Sequence, residues 1–174
     1  MKTPRTLART VIWLACISIA AMWFYAFVFA SRESINRIGD EQWMSRSENV
    51  CAAARQELQA LAQPVGIDPT DTAALAVKAD IVDAATDVLE RAIDRIEADQ
   101  PIDDKGRGIV PLWIADWRIY LGDRRDFADA LRTADRHPYF AETEVEGVPV
   151  SERVGKFARE NDMRSCQPPT DLSV

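Results

Sequence analysis

The sequence predicts an all-α fold, with an N-terminal transmembrane helix followed by a three- to four-helix bundle that includes at most one short β-hairpin. Two observations carry this prediction. A long uncharged segment lies near the N-terminus, and the rest of the chain repeats apolar residues at spacings of three and four. We therefore expect a short N-terminus at 1–10, a membrane span at 11–30, a helical domain at 31–166 and a loose tail at 167–174.

The predicted span is a run of 20 uncharged residues, long enough as a helix to cross a hydrocarbon core of about 30 Å. The apolar region of a signal peptide is usually shorter, about 7 to 15 residues, so we expect an uncleaved anchor. Cleavage after Ala30 is the alternative, because Val28 and Ala30 fit the small-residue rule for such sites. Ala26 and Ala30 also suit a homodimer formed through the membrane helix.

The orientation of the span is decided by two cysteines, because Lys and Arg are nearly balanced on its two sides. Cys51 and Cys166 lie near opposite ends of the helical domain, as a stapling disulfide would. Disulfides persist in oxidising compartments. We therefore expect the plasma membrane, with residues 1–10 cytoplasmic and the helical domain extracytoplasmic. The alternative is two unrelated buried thiols.

The charge of the helical part excludes one class of partner. The 144 residues after position 30 carry 18 basic and 28 acidic side chains, a net charge of −10. Nucleic-acid binding needs clustered Lys and Arg, so we expect no nucleic acid partner. A single histidine and two distant cysteines do not make a zinc site, and we expect no metal and no cofactor.

Apolar spacing and helix-boundary residues define four helices in the domain. The expected ranges are 40–62, 70 or 71 to 98, 111–135, and a short last helix capped by Ser151. Pro111 suits the first turn of the third helix, after a polar loop over 99–108. The pair Glu146-Gly147 predicts the turn of the short hairpin.

The second helix carries a row of carboxylates nearly opposite its apolar seam. We name this row the acidic stripe; its members are Asp80, Asp83, Asp87, Glu90, Asp94 and Glu97. The favoured interpretation is a solvated face. The alternatives are a docking surface for a partner and, least favoured, a metal site, because carboxylates along a straight helix diverge rather than converge on one ion.

Arg124 falls in the middle of the apolar seam of the third helix, together with Trp113, Trp117 and Tyr120. A guanidinium buried there needs a partner, because an unpaired buried charge is costly. We expect it to stack on Tyr120 or Trp117, or to pair with a carboxylate of a neighbouring helix. The alternative is a pocket for an anionic ligand, with the aromatic residues as its apolar wall.

Two segments of the domain resemble a family of small actinobacterial membrane proteins. They are WIADWRIYLGDRRDFADAL, at 113–131, and FARENDMRSCQPP, at 157–169. The resemblance covers most of the domain. It implies one N-terminal span, a helical external domain and pairing of Cys51 with Cys166, and it implies no activity.

The sequence thus predicts a non-enzymatic, membrane-anchored protein, an interaction or accessory component of the cell envelope. Its expected partners are the lipid bilayer and a membrane or envelope protein. The alternative is a ligand-binding module with an aromatic pocket near Arg124. An enzyme is least favoured, because the sole histidine, His137, accompanies no recognisable nucleophile motif.

Overall fold

The computed structural model describes residues 4–28, 34–61 and 68–172. The described residues form five α-helices, one two-stranded hairpin and one 3-10 turn, so the predicted fold class is confirmed. The chain divides into two units, Met1–Ile35 and Asn36–Val174. In chain order the elements are α1 (Pro4–Val28), α2 (Glu41–Ala60), α3 (Thr72–Ala98), α4 (Asp104–Thr133), β1 (Glu144–Val145), β2 (Val148–Pro149), α5 (Val150–Glu160) and the 3-10 turn (Arg164–Cys166).

The first unit is built around α1. Its segment Ala8–Phe27 is 20 residues long and apolar enough to span a membrane. Each residue of this segment is exposed, including Trp23 and Phe27, whose rings stack with centroids 5.4 Å apart. The segment overlaps the predicted span at 11–30, of which residues 29 and 30 lie outside the described ones. By length and composition, α1 is therefore suited to a bilayer.

In the second unit, α2 and α3 begin where the sequence predicts, and a carboxylate caps each of them. Asp40 accepts a hydrogen bond from the Trp43 backbone N–H at 2.9 Å. Asp71 accepts from the backbone N–H groups of Ala73 and Ala74, at 3.0 and 3.1 Å. Each cap satisfies donors that the first helical turn leaves without an intrahelical partner.

The third helix of this unit, α4, begins seven residues before the predicted start at Pro111, so the predicted loop over 99–108 is wrong in its second half. Asp103 caps α4 by accepting from the Gly106 backbone N–H at 2.7 Å. A Cβ on Gly106 would lie 2.7 Å from the Asp103 carboxylate and 2.9 Å from Pro101. Gly106 is thus required by close packing inside the first turn, although glycine in a sequence usually indicates a loop.

The predicted hairpin is confirmed, and it leads directly into α5. Glu146 and Gly147 both have positive φ, 56° and 76°, as a two-residue turn between antiparallel strands requires. Ser151 does not cap α5 with its side chain, which the sequence analysis expected. Instead the Glu142 carboxylate accepts the Ser151 backbone N–H at 3.1 Å, because the chain before the hairpin lies beside the helix start.

The core of the second unit lies between α4 and its neighbours. α3 packs against both α2 and α4, and α5 packs on another side of α4. Edge-to-face and stacked ring contacts, with centroids 5.0 to 6.5 Å apart, connect much of the core. The rings are those of Trp43, Trp113, Trp117, Tyr120, Phe127, Phe140 and Phe157. The predicted seam of α4 is therefore the centre of the core.

A disulfide links Cys51 on α2 to Cys166, 115 residues later, as the sequence predicts. The residues that follow differ from the predicted loose tail. We name the segment Gln167–Leu172 the C-terminal strap. Leu172 is buried in an apolar cluster between α3 and α4, so the strap is packed as far as the structure describes the chain.

Candidate functional site

The candidate site is centred on Arg124, which is fully buried in the middle of α4. The helix places it one turn after Tyr120, and its Cζ lies 5.8 Å from the Tyr120 ring centroid. Its Nε donates to the Thr86 hydroxyl of α3 at 3.0 Å, and that hydroxyl donates to the Val82 carbonyl at 2.7 Å. α3 and α4 thus fix the guanidinium from two sides.

The charge of Arg124 is neutralised by Asp171 of the C-terminal strap. The Arg124 Nη atoms donate to both Asp171 carboxylate oxygens, at 2.9 and 2.7 Å. Burial opposes the charged guanidinium, but the hydrogen bonds and charge of Asp171 outweigh it and raise the pKa of Arg124. The sequence predicts stacking on Tyr120 or Trp117, or a carboxylate on a neighbouring helix. The guanidinium does lie over the Tyr120 ring, but its carboxylate partner lies in the segment predicted to be loose.

The residue after Asp171 supplies a second anchor for the strap. The side chain of Leu172 is 5% exposed and packs in a cluster of apolar residues from α3 and α4. The other buried members are Leu75, Ala79, Val82, Phe127, Ala128 and Leu131. We name the combination of Arg124, Thr86 and this apolar cluster the Arg124 clamp, since it holds one carboxylate and one aliphatic side chain side by side.

Before the clamp, α2 and α4 hold the strap mainly by its backbone. Arg55 donates to the carbonyls of Ser165 and Gln167 at 2.8 and 2.7 Å. The Tyr120 hydroxyl donates to the Pro169 carbonyl at 3.4 Å. These contacts do not depend on the side chains of the strap. Among those side chains, Gln167 accepts from Arg159 of α5 at 3.3 Å outside the clamp, and Asp171 and Leu172 make the contacts inside it.

An open groove of about 470 Å³ borders the strap. Tyr139 and Phe140 line part of it, Gly155 and Arg159 of α5 line another part, and Pro168 to Thr170 contribute from the strap. Because the groove lies along several strap residues, that side of the strap is not covered by the helices.

Lys78 and His137 form a polar pair near the clamp. The Lys78 Nζ lies 2.7 Å from His137 Nε2, and His137 Nδ1 lies 2.8 Å from the Pro138 carbonyl oxygen. This geometry fits a neutral ring that donates from Nδ1 and accepts from the lysine. Burial lowers the pKa of Lys78, while the negative charge of Asp171 acts in the opposite direction. The nearest recorded partner of the Lys78 ammonium is thus His137.

The two tryptophans predicted beside Arg124 are core residues. Trp113 is 2% exposed and donates from Nε1 to the Val154 carbonyl at 3.2 Å. Trp117 is 1% exposed, and its Nε1 has no hydrogen-bond partner within the part of the chain that the structure describes. The space next to Trp117, beside the disulfide, is about 10 Å³, which is about the size of one water molecule.

The sequence favours a solvated acidic stripe. In the structure the stripe is instead paired with arginines of α4. Arg118, Arg125 and Arg132 of α4, which we name the arginine ladder, each bridge two of its carboxylates. The shorter contacts are 2.6 to 2.9 Å, and the pairing runs antiparallel along α3. Six carboxylates share three guanidinium groups, so part of the negative charge stays uncompensated. The stripe is a partly neutralised seam between two helices.

Sequence reasoning missed Asp171, Thr86 and Leu172. The one available signal was the requirement that a buried Arg124 have a carboxylate partner, and the chain has 28 acidic residues to choose from. Among the residues with assigned positions, no group of three or more His, Cys, Asp or Glu side chains is arranged to hold a metal ion.

The chain was compared with family models, with curated proteins and with solved structures, and it matches none of them. The resemblance to the actinobacterial membrane proteins therefore stays a prediction.

Proposed function

We propose that this chain is a non-enzymatic, membrane-anchored protein whose helical domain lies outside the cytoplasm and binds another membrane or envelope protein. The observation that carries the proposal is the exposed apolar helix Ala8–Phe27. An apolar surface of this length is unstable in water, and a bilayer has the thickness that covers it. The protein then displays one compact domain from the plasma membrane.

The disulfide between Cys51 and Cys166 supports the external location of that domain. Thiols in a bacterial or eukaryotic cytosol are kept reduced, whereas the space beyond the plasma membrane allows disulfides to persist. The Lys and Arg distribution is too even to decide the orientation.

The contacts of the reactive side chains favour binding over catalysis. Both cysteines of the domain are bonded to each other, and His137 is occupied by Lys78 and the Pro138 carbonyl. The acidic stripe is engaged by the arginine ladder. A general base or nucleophile needs an accessible, activated group, and these candidates are engaged by other groups of the protein.

A topology experiment tests the anchor and the orientation together. Two variants, Thr3→Cys and Tyr139→Cys, are made in a Cys16→Ser background. Each is labelled in intact cells with a membrane-impermeant maleimide. Tyr139 is 90% exposed, so its replacement should fold normally. We expect labelling at 139 only, and labelling at both positions after lysis. Labelling at 3 alone, or recovery in the soluble fraction after carbonate extraction, would contradict the proposal.

A crosslinking experiment tests the partner. Leu112 is 64% exposed and borders a groove of about 350 Å³, and Ile102 is 78% exposed. A photoreactive side chain at either position, in native membranes, should capture the same partner repeatedly. The matched control is Asp129, which is exposed within the charged surface. Capture of no protein above the control would count against an interaction role.

An aromatic pocket for a small ligand is the weaker alternative. Asp171 of the same chain already binds Arg124, and both Trp113 and Trp117 are buried in the core. Arg124 is therefore already paired, and the two tryptophans expose no more than 2% of their surface to a small molecule.

A further inference from the structure

The C-terminal strap is held in the way that a peptide ligand is held. Beyond Cys166 it forms no helix or strand as far as Leu172, and its side-chain contacts with the clamp come from two neighbouring residues. Asp171 enters a bidentate pair with Arg124, and Leu172 enters the apolar cluster beside it. A binding site that combines a charged anchor with a neighbouring apolar anchor can be specific for a short peptide sequence.

The charges around the strap carboxylate favour an acidic ligand. Arg124 is fully buried and bears a positive charge that must be matched. The negative charge of Asp171 also favours the charged form of Lys78 on α3, although burial lowers the pKa of Lys78. The buried guanidinium, oriented by the Thr86 hydroxyl, thus faces one carboxylate, and the position favours an acidic side chain over a neutral or basic one.

The strap has room to leave without disruption of the helices. The groove of about 470 Å³ runs along it, and the disulfide at Cys166 fixes only its beginning. A release therefore breaks the contacts of the strap itself, while α2 to α5 keep their packing. The empty clamp would expose Arg124 and its apolar cluster to a competing segment.

We propose that the Arg124 clamp is a peptide-binding site, which the chain's own strap occupies in cis. Its ligand in trans is an extended segment of a partner protein in which an acidic residue is followed by an aliphatic one. This inference names the chemistry of the partner in the proposed interaction role and rests on that role for its biological meaning. The strap is then an autoinhibitory contact, which a partner must displace.

The short tether makes the internal ligand a strong competitor. Four residues lie between Cys166 and Asp171, and a short linker gives an effective concentration in the millimolar range. A free peptide with the same sequence therefore competes poorly with the strap of the unmodified protein, and it binds well once the strap is released.

The test uses the full chain in detergent micelles and an amidated, fluorescent peptide with the sequence of residues 167–172. The double variant Asp171→Asn, Leu172→Ala releases the strap without shortening the chain. Fluorescence anisotropy should show that the peptide binds this variant at least about tenfold more tightly than it binds the unmodified protein. The matched control peptide, with Asn at the Asp171 position, should bind at least about tenfold more weakly.

A second measurement needs no variant and therefore does not depend on the fold of one. Hydrogen exchange of the unmodified protein should show the strap amides exchanging about a hundredfold faster than those in the centre of α4. Millimolar unlabelled peptide should accelerate exchange in the strap and leave α4 unchanged, because it displaces the strap.

Two results would overturn the inference. One is a folded double variant, by circular dichroism, that binds neither peptide or binds both equally. The other is a strap that exchanges only together with α4 and does not respond to the peptide. Both tests are made with purified protein, so a wrong membrane orientation would defeat the proposed function while the clamp could still bind its peptide.

Discussion

Five arginines of α4 are paired with carboxylates. Arg124 and the three residues of the arginine ladder lie in two contrasting environments. Arg124 is fully buried and has one bidentate carboxylate partner, Asp171. The three residues of the arginine ladder have side chains 35 to 41% exposed and two close carboxylates each. By number of ion pairs the ladder is the larger feature.

The two environments differ in what happens when a partner is removed. Water can solvate an exposed guanidinium that loses its carboxylate, so an exposed pair contributes little, about 0 to 1 kcal/mol. A guanidinium buried under the strap has no such replacement unless the strap itself opens, and breaking a buried pair costs about 3 to 5 kcal/mol. Burial, and not the number of contacts, therefore decides which charged contact the fold depends on.

The largest effect is expected for Asp171→Ala, which removes the partner of Arg124. Unfolding by denaturant, followed by the fluorescence of the buried tryptophans, should show a loss of about 4 kcal/mol. The matched control is Asp129→Ala, which removes an exposed partner of Arg132 and should change the free energy of unfolding by less than about 0.5 kcal/mol.

The double variant Arg124→Leu, Asp171→Ala sharpens this result. It removes both charges and should recover most of the loss, because no unpaired charge stays buried. Equal stability of the single and double variants would mean that the ion pair is not what Asp171→Ala disrupts.

The next largest effect is expected for loss of the disulfide. Replacing Cys51 and Cys166 by serine frees a loop of about 115 residues and should reduce the free energy of unfolding by about 3 kcal/mol. The strap also loses its tether, so Asp171→Ala should cost less in this background than in the unmodified protein. Cys16→Ser, which replaces an exposed free cysteine, is the control. Strict additivity of the two losses would show that the tether and Asp171 act independently.

A smaller effect is expected for Arg125→Gln, in the middle of the arginine ladder. Because Arg125 and its partners Asp87 and Glu90 are partly exposed, the loss should be less than about 1 kcal/mol. Near 1 M salt the Debye length falls to about 3 Å, and the difference from the unmodified protein should shrink further. A loss as large as that of Asp171→Ala would mean that exposed and buried ion pairs contribute equally to this fold.

The smallest effect concerns Asp40, a carboxylate that is paired with backbone N–H groups. Hydrogen bonds from the backbone of Ile102 and of Trp43 lower the pKa of Asp40 below its ordinary value of 3.8. A lowered pKa contributes stability that is present above pH 3.8 and is lost as the pH falls through the folded-state pKa. Asp40→Asn, which keeps a capping side chain, should cost less than about 1 kcal/mol at pH 7.

The pH dependence separates this contribution from other carboxylates. The difference in the free energy of unfolding between Asp40→Asn and the unmodified protein should vanish at low pH. A difference that stayed constant down to pH 2 would assign the effect to packing instead of charge.

Much of the fold could be predicted because helices repeat locally. The spacing of Val82, Leu89 and Ile96 defines the inner face of α3. Asp40 and Asp71 are residues of a type that commonly caps helices, so the sequence alone indicates two helix starts. The start of α4 was mispredicted because Gly106 has a packing role that only the neighbouring Pro101 and Asp103 reveal.

The site depended on contacts between distant parts of the chain. Periodicity places Arg124 in an apolar seam, but it cannot say that the carboxylate comes from a strap 47 residues later. The ladder was closer to predictable, because arginines seven residues apart match pairs of carboxylates repeated at the same spacing. What the sequence lacked was evidence that these two helices are neighbours.

The position of the strap has a consequence for how the protein is made. Cys51 is synthesised 115 residues before its partner, which at roughly 5 to 20 residues per second is an interval on the order of 10 s. During that interval the Cys51 thiol is not yet bonded to Cys166. Arg124 likewise lacks its carboxylate partner until Asp171 has been synthesised. The domain therefore cannot finish folding until the last residues of the strap have emerged from the ribosome and, in a secreted orientation, from the translocation channel.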